Sequence, residues 1–319
     1  MKKKLLLFIL NLICFCIFAG GYEDSKTIDA NKVANFNITL QKEIITVSTH
    51  KGNDIHVISE TNDKSIFPIV ELENNTLIIR STEYQIIEKG NCYISLMLPE
   101  KYTANNFTLT NNYGKLHIKQ LNAKSVSLNP GPNNLLENIT ADYFEIPIPD
   151  EADVNITYLD CKEIKISLVS GNLNISLRKI PEKKSHISSK HGNLNVSFPT
   201  NEKFTINTKS FNSKCINNLN NSVTNWIREG NIYKHNGGGV EIELQTYTGD
   251  IIINKTIWLK KCKKRWFPLK QHFSRQNIHY TKKHLLSFFS VRQFLVPPPC
   301  EAVQTPLGFK RRDFYVPRQ

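Results

Sequence analysis

The stretch that decides the fold is written twice, as VSGNLNISL at 169–177 and as KHGNLNVSF at 190–198. Both copies carry Gly-Asn-Leu-Asn, then a β-branched residue, a serine and a large apolar residue, 21 positions apart. Apolar and polar residues alternate within each copy, which is typical of a strand with one buried face. The repeat therefore predicts two neighbouring structural units that meet the same steric requirement.

Glycine followed by a short alternating strand recurs along the chain, at Gly114, Gly171, Gly192 and Gly249. The intervals are 57, 21 and 57 residues, and 57 is three times 19. Asn133 and Ala152 stand near the missing 19-residue steps of the first interval. A period near 20 with about two strands per period indicates a stacked β-solenoid, in which each coil buries its apolar residues against its neighbours. We therefore assign the four glycines as structural turns, where the chain bends too tightly for a Cβ.

Most of the chain shows the same alternation, in segments such as FNITL, DIHVISET, EIKISLV and VEIELQT. Clusters of Gly, Asn and Asp separate these segments, and no apolar stripe of helical period extends over three turns. The sequence thus predicts an all-β protein, a single-stranded right-handed-type β-solenoid with coils of about 19–21 residues. A β-sandwich, whose strands are also short and evenly spaced, is the alternative.

Residues 1–21 have the features of an export signal. Three lysines at 2–4 precede an apolar run at 5–18, and small residues follow it. We expect cleavage between Gly21 and Tyr22. The run is shorter than the ~20 apolar residues of a membrane-spanning helix. The alternative is a lipoprotein whose lipidated N-terminus is one of two cysteines in the run, Cys14 or Cys16.

The net charge of +13 is located at the C-terminal end of the chain. From Lys255 onward there are 15 Lys or Arg and two acidic residues, whereas residues 1–254 carry 26 of each sign. The body at 22–256 therefore gives no electrostatic reason to expect nucleic-acid binding. The tail at 257–319 is basic, aromatic and almost free of asparagine, which predicts an irregular segment. It is a disordered extension, a translated shifted frame, or an arm for membranes and other anionic polymers.

The residues that could carry chemistry are scattered. The histidines of the body lack metal-binding spacing, and the cysteines after the signal form no CxxC pair. Among these residues are His56, His117, His186, His191, His235, Cys92, Cys161, Cys215, Cys262 and Cys300. The one tight acidic group, Asp150, Glu151 and Asp153, is interpreted as a solvated turn. We therefore expect no catalytic residue, metal or cofactor.

A carbohydrate-active β-helix enzyme is the alternative function. Such an enzyme would require carboxylates that converge on one face of the solenoid. The candidates are Asp142, Glu145, Asp150, Asp153, Asp160 and Glu163.

The order of the segments resembles the bacterial putative-adhesin β-solenoid family over roughly residues 30–256. The resemblance lies in ITVSTHKGNDIHVISET at 45–61, in the strand end Leu98-Pro99, and in the Gly-turn segments that finish with TGDIIINK at 248–255. The family usually has Asp after the turn glycine; this chain keeps it at Asp250 but has Lys115, Asn172 and Asn193 elsewhere. The resemblance implies an exported, non-enzymatic domain in the periplasm, at the cell surface or secreted, whose partner is an unidentified envelope or extracellular macromolecule.

Overall fold

A computed structural model describes five segments of the chain, 21–82, 92–132, 134–147, 151–219 and 222–256. The signal before Gly21, the acidic residue Asp150 and the tail at 257–319 lie outside the described residues. Strands dominate these segments, and two single-turn 3₁₀ helices, Ala30–Lys32 and Lys64–Ile66, are present. Within these segments there is no α-helix, and hence no helix of the length and hydropathy needed to span a bilayer.

The strands, in chain order, are β1 Tyr22–Asp29, β2 Asn35–Leu40, β3 Ile44–His50, β4 Asp54–Thr61, β5 Ile69–Glu73, β6 Thr76–Arg80, β7 Cys92–Pro99, β8 Ala104–Asn111, β9 Lys115–Ile118, β10 Leu121–Pro130, β11 Asn134–Ile146, β12 Val154–Ser170, β13 Leu173–Leu177, β14 Ser185–His191, β15 Leu194–Phe198, β16 Phe204–Asn217, β17 Ser222–His235, β18 Val240–Thr248 and β19 Ile251–Lys255.

Two parallel ladders organise these strands into coils. In each coil a strand of ladder 1, such as β8, leads through a corner into a strand of ladder 2, such as β9. The chain then turns back and begins the next coil one layer further along. In the middle of the stack the step between paired residues is 18 to 21, as in Val126↔Phe144 and Ile166↔Ile187. The period read from the sequence is therefore the length of one coil.

The core lies between the two ladders and is built from rows of apolar residues in register. One row of ladder 1 joins Ile38, Leu109, Leu128, Ile146, Ile166, Ile187 and Leu244. One row of ladder 2 joins Val47, Ile118, Leu136, Ile156, Ile175, Val196 and Ile253. All of these side chains are essentially inaccessible to solvent. Each coil thus buries against its neighbours the apolar area that it cannot bury alone.

The spatial order of the coils differs from the chain order at the C-terminal end. The coil made of β18 and β19 pairs on one side with β14 and β15, and on the other with β16. The interpretation of the second 57-residue interval as three coils is therefore wrong, because Gly249 lies one layer from Gly192. The intervening residues form the terminal coil in β16 and return through the antiparallel strand β17.

The N-terminal end has the same kind of insertion. The coil made of β2 and β3 lies between the coil made of β6 and β7 and the coil made of β8 and β9. Antiparallel strands then cover this end, with β5 on β6, β4 on β7 and β1 on β4. Both ends of the stack thus finish in antiparallel strands.

The all-β prediction is confirmed. The prediction of a plain single-stranded solenoid is wrong in one respect, because the stacked coils close into a barrel. Strands β11 and β12 run from ladder 2 into ladder 1 without interruption, so the ladders form one sheet that closes around the core like a barrel. The bends fall at Asn138 and Tyr158, whose φ angles are +47° and +65°. The sequence could not show this closure, because neither residue is a glycine and the alternation continues on both sides.

The corners opposite these bends bring successive layers very close together. The Gly171 N–H donates to His191 O at 2.9 Å, and the Gly192 N–H donates to Thr248 O at 2.8 Å. A Cβ on Gly171 would meet the carbonyl oxygen of Ala152, and one on Gly192 would meet that of Gly171. Both glycines also have positive φ, +115° and +154°. The repeated glycine is therefore the residue that permits backbone hydrogen bonding between corners.

The residue after each corner glycine bonds to the next layer. The Asn172 N–H donates to Asp153 Oδ1 at 2.7 Å, the Asn193 N–H to Asn172 Oδ1 at 3.2 Å, and the Asp250 N–H to Asn193 Oδ1 at 2.8 Å. This Asx column satisfies backbone donors that the corners would otherwise leave without a partner. Asparagine serves here as well as aspartate, because the acceptor is a carbonyl or carboxylate oxygen in either case.

We predict that Gly171→Val and Gly192→Val each lower the free energy of unfolding by about 3 kcal/mol or more, since each adds a backbone collision to an unfavourable φ. Gly237→Val is the matched control: Gly237 has φ +91°, but no atom lies within 4 Å of its Cβ position. For Gly237→Val we expect the free energy of unfolding to fall by only about 1–2 kcal/mol. Urea unfolding measures all three, and equal losses would contradict a role for the close approach.

We also predict that a chain ending at Thr256 keeps the fold, because the outer edge of β19 is already covered by β16. Removal of residues 203–236 is the contrasting variant, since it uncovers both β18 and β19 and should cause aggregation. Circular dichroism and light scattering compare the two. Aggregation of the chain that ends at Thr256 would show that the tail is required as a cap.

Candidate functional site

The outward surface of ladder 2 carries uncharged polar residues on consecutive coils. Two positions per strand point to solvent over β12, β13, β15 and β19. All but Ile252 are uncharged and polar: they are Asn155, Thr157, Asn174, Ser176, Asn195, Ser197, Ile252 and Asn254. We call this surface the amide–hydroxyl face. It repeats at the ~4.8 Å spacing of neighbouring strands, so its side chains form straight rows across the coils.

Amide side chains on this face bond to one another and keep further hydrogen-bonding capacity. Asn174 Nδ2 donates to Asn155 Oδ1 at 2.8 Å, and Asn254 Nδ2 donates to Asn195 Oδ1 at 2.6 Å. Asn218 Nδ2 in turn donates to Asn254 Oδ1 at 2.6 Å. Since Asn254 is in register with Ser197, the bond from Asn254 to Asn195 crosses between the two outward rows. Each carboxamide has two donor hydrogens and two acceptor positions. These rows therefore fix the side chains in place and leave part of every amide available to a ligand.

Over β12, β13 and β15, the other outward row of the face consists of hydroxyl side chains. Within the described segments, no hydrogen bond is made by the side chains of Thr157, Ser176 or Ser197. Ser176 and Ser197 also line an open concavity of about 540 Å³, together with Asn218, Asn254 and Lys255. The face thus presents donors and acceptors in register without a carboxylate among them.

A groove on the other ladder arises from a row of small residues. Ala104, Ala123, Ala141 and Cys161 are paired in register, and all are at least nine-tenths buried. Because these side chains are short, the surface above the last three is depressed, and the depression has a volume of about 470 Å³. Polar and charged side chains of the same coils form its walls.

Three carboxylates line the groove, Asp142, Asp160 and Glu182, and the first two are each paired with a lysine. Asp142 lies 2.9 Å from Lys162 Nζ, and Asp160 lies 3.1 Å from Lys179 Nζ. The pKa of Lys162 is raised, first by its hydrogen bond to Asp142. Burial raises the pKa of the Cys161 thiol to about 11, so the thiol stays protonated at neutral pH and is a poor nucleophile.

The other candidate carboxylates lie apart from this groove. Glu145 accepts from Tyr143 at 2.7 Å, and Glu163 pairs with Lys183 at 3.1 Å. Asp153 belongs to the Asx column, and Asp150 is outside the described residues. Each described candidate therefore has its own partner. Asp142 and Asp160 share the groove in two separate ion pairs, and Glu145 and Glu163 both lie near Tyr143.

The five candidate histidines are also separate from one another, although the ring centroid of His56 lies 4.8 Å from that of His50. Their partners are Thr27 for His56, Glu137 for His117, Glu243 for His186, Thr248 for His191 and Thr200 O for His235. Over the described segments, no three His, Cys, Asp or Glu residues are grouped so that they could hold a metal ion. The three described cysteines, Cys92, Cys161 and Cys215, are free and buried.

The predicted turn glycines occupy one column of corners. Gly171, Gly192 and Gly249 follow one another there, and a Cβ on Gly114 would meet the carbonyl oxygen of Glu43 in an earlier coil. Of the predicted cleavage residues, Tyr22 begins β1. The amide–hydroxyl face was not predicted as a site. Its sequence signal is a series of Asn-x-Ser/Thr triplets that begin at Asn155, Asn174 and Asn195. Strand alternation in an asparagine-rich chain explains these triplets equally well.

Comparisons with known proteins agree with this architecture. Residues 25–254 match the family described as Toastrack DUF4097. No curated protein matches the chain.

Several solved structures are similar to the chain. One is described as a "putative cell adhesion protein" from Clostridium sporogenes ATCC 15579, with 15% identity, a TM-score of 0.34, and coverage of 74% of this chain and 100% of its own. A "putative adhesin" from Bacteroides fragilis NCTC 9343 has 13% identity, a TM-score of 0.36, and coverage of 74% and 97%. A "putative lipid binding protein" from Parabacteroides distasonis ATCC 8503 has 10% identity, a TM-score of 0.35, and coverage of 74% and 97%.

The family match spans most of the chain and coincides with the stacked coils, from β1 to β19. The resemblance inferred from the repeated Gly-Asn turns is thereby confirmed. The chain belongs to the Toastrack DUF4097 family.

Proposed function

We propose that the protein is an exported, non-enzymatic β-solenoid with right-handed coils, which acts as an adhesin or envelope-associated interaction protein. The observation that carries the proposal is the amide–hydroxyl face. It offers free hydroxyls and partly free amides in straight rows, on a backbone held rigid by hydrogen bonds to both neighbouring coils.

The distribution of carboxylates supports a contact role over a catalytic one. Acid–base catalysis at a sugar requires two carboxyl groups that face one substrate bond. Here Asp142 and Asp160 are each paired with a lysine, and Glu182 is the third carboxylate of the same groove. Because the two aspartates are held in ion pairs, the groove favours contact over acid–base catalysis.

Export rests on the sequence of the first 21 residues. A signal cleaved before Tyr22 would release the body into the periplasm, to the cell surface or into the medium, where its partner would be an envelope or extracellular macromolecule. The near balance of charge in the body makes a neutral or mixed surface the better partner for the amide–hydroxyl face than a nucleic acid.

Fractionation of cells that produce the protein tests its localisation. We expect the tagged protein in an envelope fraction or in the medium, with Tyr22 at the N-terminus of the mature chain by mass spectrometry. Recovery of the uncleaved chain in the cytoplasm would contradict export.

Retention of envelope fragments on beads that carry the purified protein tests the contact role. We expect the double substitution Ser176→Asp and Ser197→Asp to reduce retention several-fold, because it places charge on the uncharged face. Thr108→Asp and Ser125→Asp, on the outward surface of ladder 1, form the matched control. Equal retention by both double variants, or none by the unmodified protein, would contradict the proposed contact face.

A further inference from the structure

Three aromatic side chains form an exposed cluster at the end of ladder 1, on the last three coils of the stack. The Tyr247 ring centroid lies 5.4 Å from that of Phe211 and 6.2 Å from that of His191. We call these three residues the aromatic shelf. Tyr247 is 49% exposed although its neighbour Thr246 is fully buried, so its ring lies on the outward surface. An exposed aromatic group on an otherwise polar sheet indicates a contact site.

The shelf is held in place from both sides. His191 Nδ1 and Thr248 Oγ1 are 2.9 Å apart, which ties the imidazole to the strand that carries Tyr247. Phe211 is half-buried at the end of the straight part of β16. At the corner that follows β18, Thr248 O accepts a hydrogen bond from the Gly192 N–H at 2.8 Å, which joins the end of this strand to the layer of Gly192. The aromatic rings are therefore positioned by the stacked coils and need little ordering when a ligand binds.

Two polar side chains beside the shelf have no partner within the described segments. Lys190 lies next to Tyr247 in register, since Ser189 pairs with Thr246 and His191 with Thr248. Neither the Lys190 ammonium nor the Gln245 amide makes an ion pair or a side-chain hydrogen bond there.

The nearby carboxylate of Glu243 is already engaged. It lies 2.9 Å from Lys209 Nζ and 3.6 Å from His186 Nδ1. The Lys209 hydrogen bond is the main reason that the pKa of Glu243 is below its ordinary value. Lys190 is therefore a positive charge beside the shelf that forms no ion pair with a described carboxylate.

This combination fits a sugar ring that bears a carboxylate. The apolar C–H face of a pyranose stacks on an aromatic ring, its hydroxyls bond to an amide, and a carboxylate pairs with an ammonium group. A lipid chain fits less well, because the shelf is an open surface and would leave most of the chain in water. We propose that the aromatic shelf binds an acidic glycan, with a uronic acid ring on Tyr247 and its carboxylate at Lys190.

This site is separate from the amide–hydroxyl face, and it adds a ligand class to the contact role on which it rests. Calorimetric titration of the full chain with pentamers of galacturonic and of glucuronic acid tests it, with cellopentaose as the neutral probe. We expect binding of at least one acidic pentamer, and weaker binding of cellopentaose. Failure of both acidic pentamers to bind at millimolar concentration would overturn the proposal.

Variants assign the binding to the shelf. Tyr247→Ala should lower affinity for the acidic pentamer by roughly tenfold or more, and Lys190→Gln should lower it while leaving cellopentaose unchanged. Tyr113→Ala is the matched control, since Tyr113 is a 69% exposed tyrosine at a corner of an earlier coil. A thermal melt confirms that each variant is folded. Unchanged affinity in folded Tyr247→Ala would overturn the proposal.

The two proposals fail in different ways. If the acidic pentamers do not bind but the protein still retains envelope fragments, the shelf is not a glycan site and the contact role stands. Pentamer binding without any retention supports the shelf and contradicts the contact role as proposed.

Discussion

Backbone hydrogen bonds between successive corners are the constraint on which the rest of this protein depends. Parallel strands can pair along their whole length only if the turns that join them also stack at the same separation. At Gly171 and Gly192 the carbonyl of the preceding layer occupies the space of a Cβ. The absence of a side chain there keeps both ladders in register, and the register in turn aligns the rows of the core.

Stacked coils also create an edge problem, because each end of a parallel ladder exposes unpaired backbone groups that can bind another chain. At both ends of the stack, a coil is inserted between two others, and antiparallel strands cover the outermost coil. At the C-terminal end, the coil made of β18 and β19 lies between the coil made of β14 and β15 and the coil made by β16, and β17 pairs with β16. The segment that looks like the last coil in the sequence is thus an internal layer with partners on both sides.

Alternation separates the structural from the functional positions of every strand. Inward positions are constrained by the closely packed core, whereas outward positions are free to vary from coil to coil. Over β12, β13, β15 and β19, ladder 2 uses this freedom for amides and hydroxyls. Ladder 1 uses it for ion pairs, a shallow groove and the aromatic shelf. A rigid scaffold that presents repeated polar groups is suited to holding a partner, since little entropy is lost when the surface binds.

The sequence by itself determined the all-β class, the coil length near 20 residues, the family and the corner glycines, because alternation and sterically required glycines are local and repeat. It also indicated that the net positive charge of the chain lies in the tail and gives no information about the partners of the body. Only the tertiary structure decided the order of the layers, since a 57-residue interval has the same length whether it spans three coils or one coil with an excursion. The amide–hydroxyl face and the aromatic shelf likewise depend on the register between layers. Phe211, Tyr247 and His191 are far apart in the chain, and they meet only because β18 pairs with both β14 and β16.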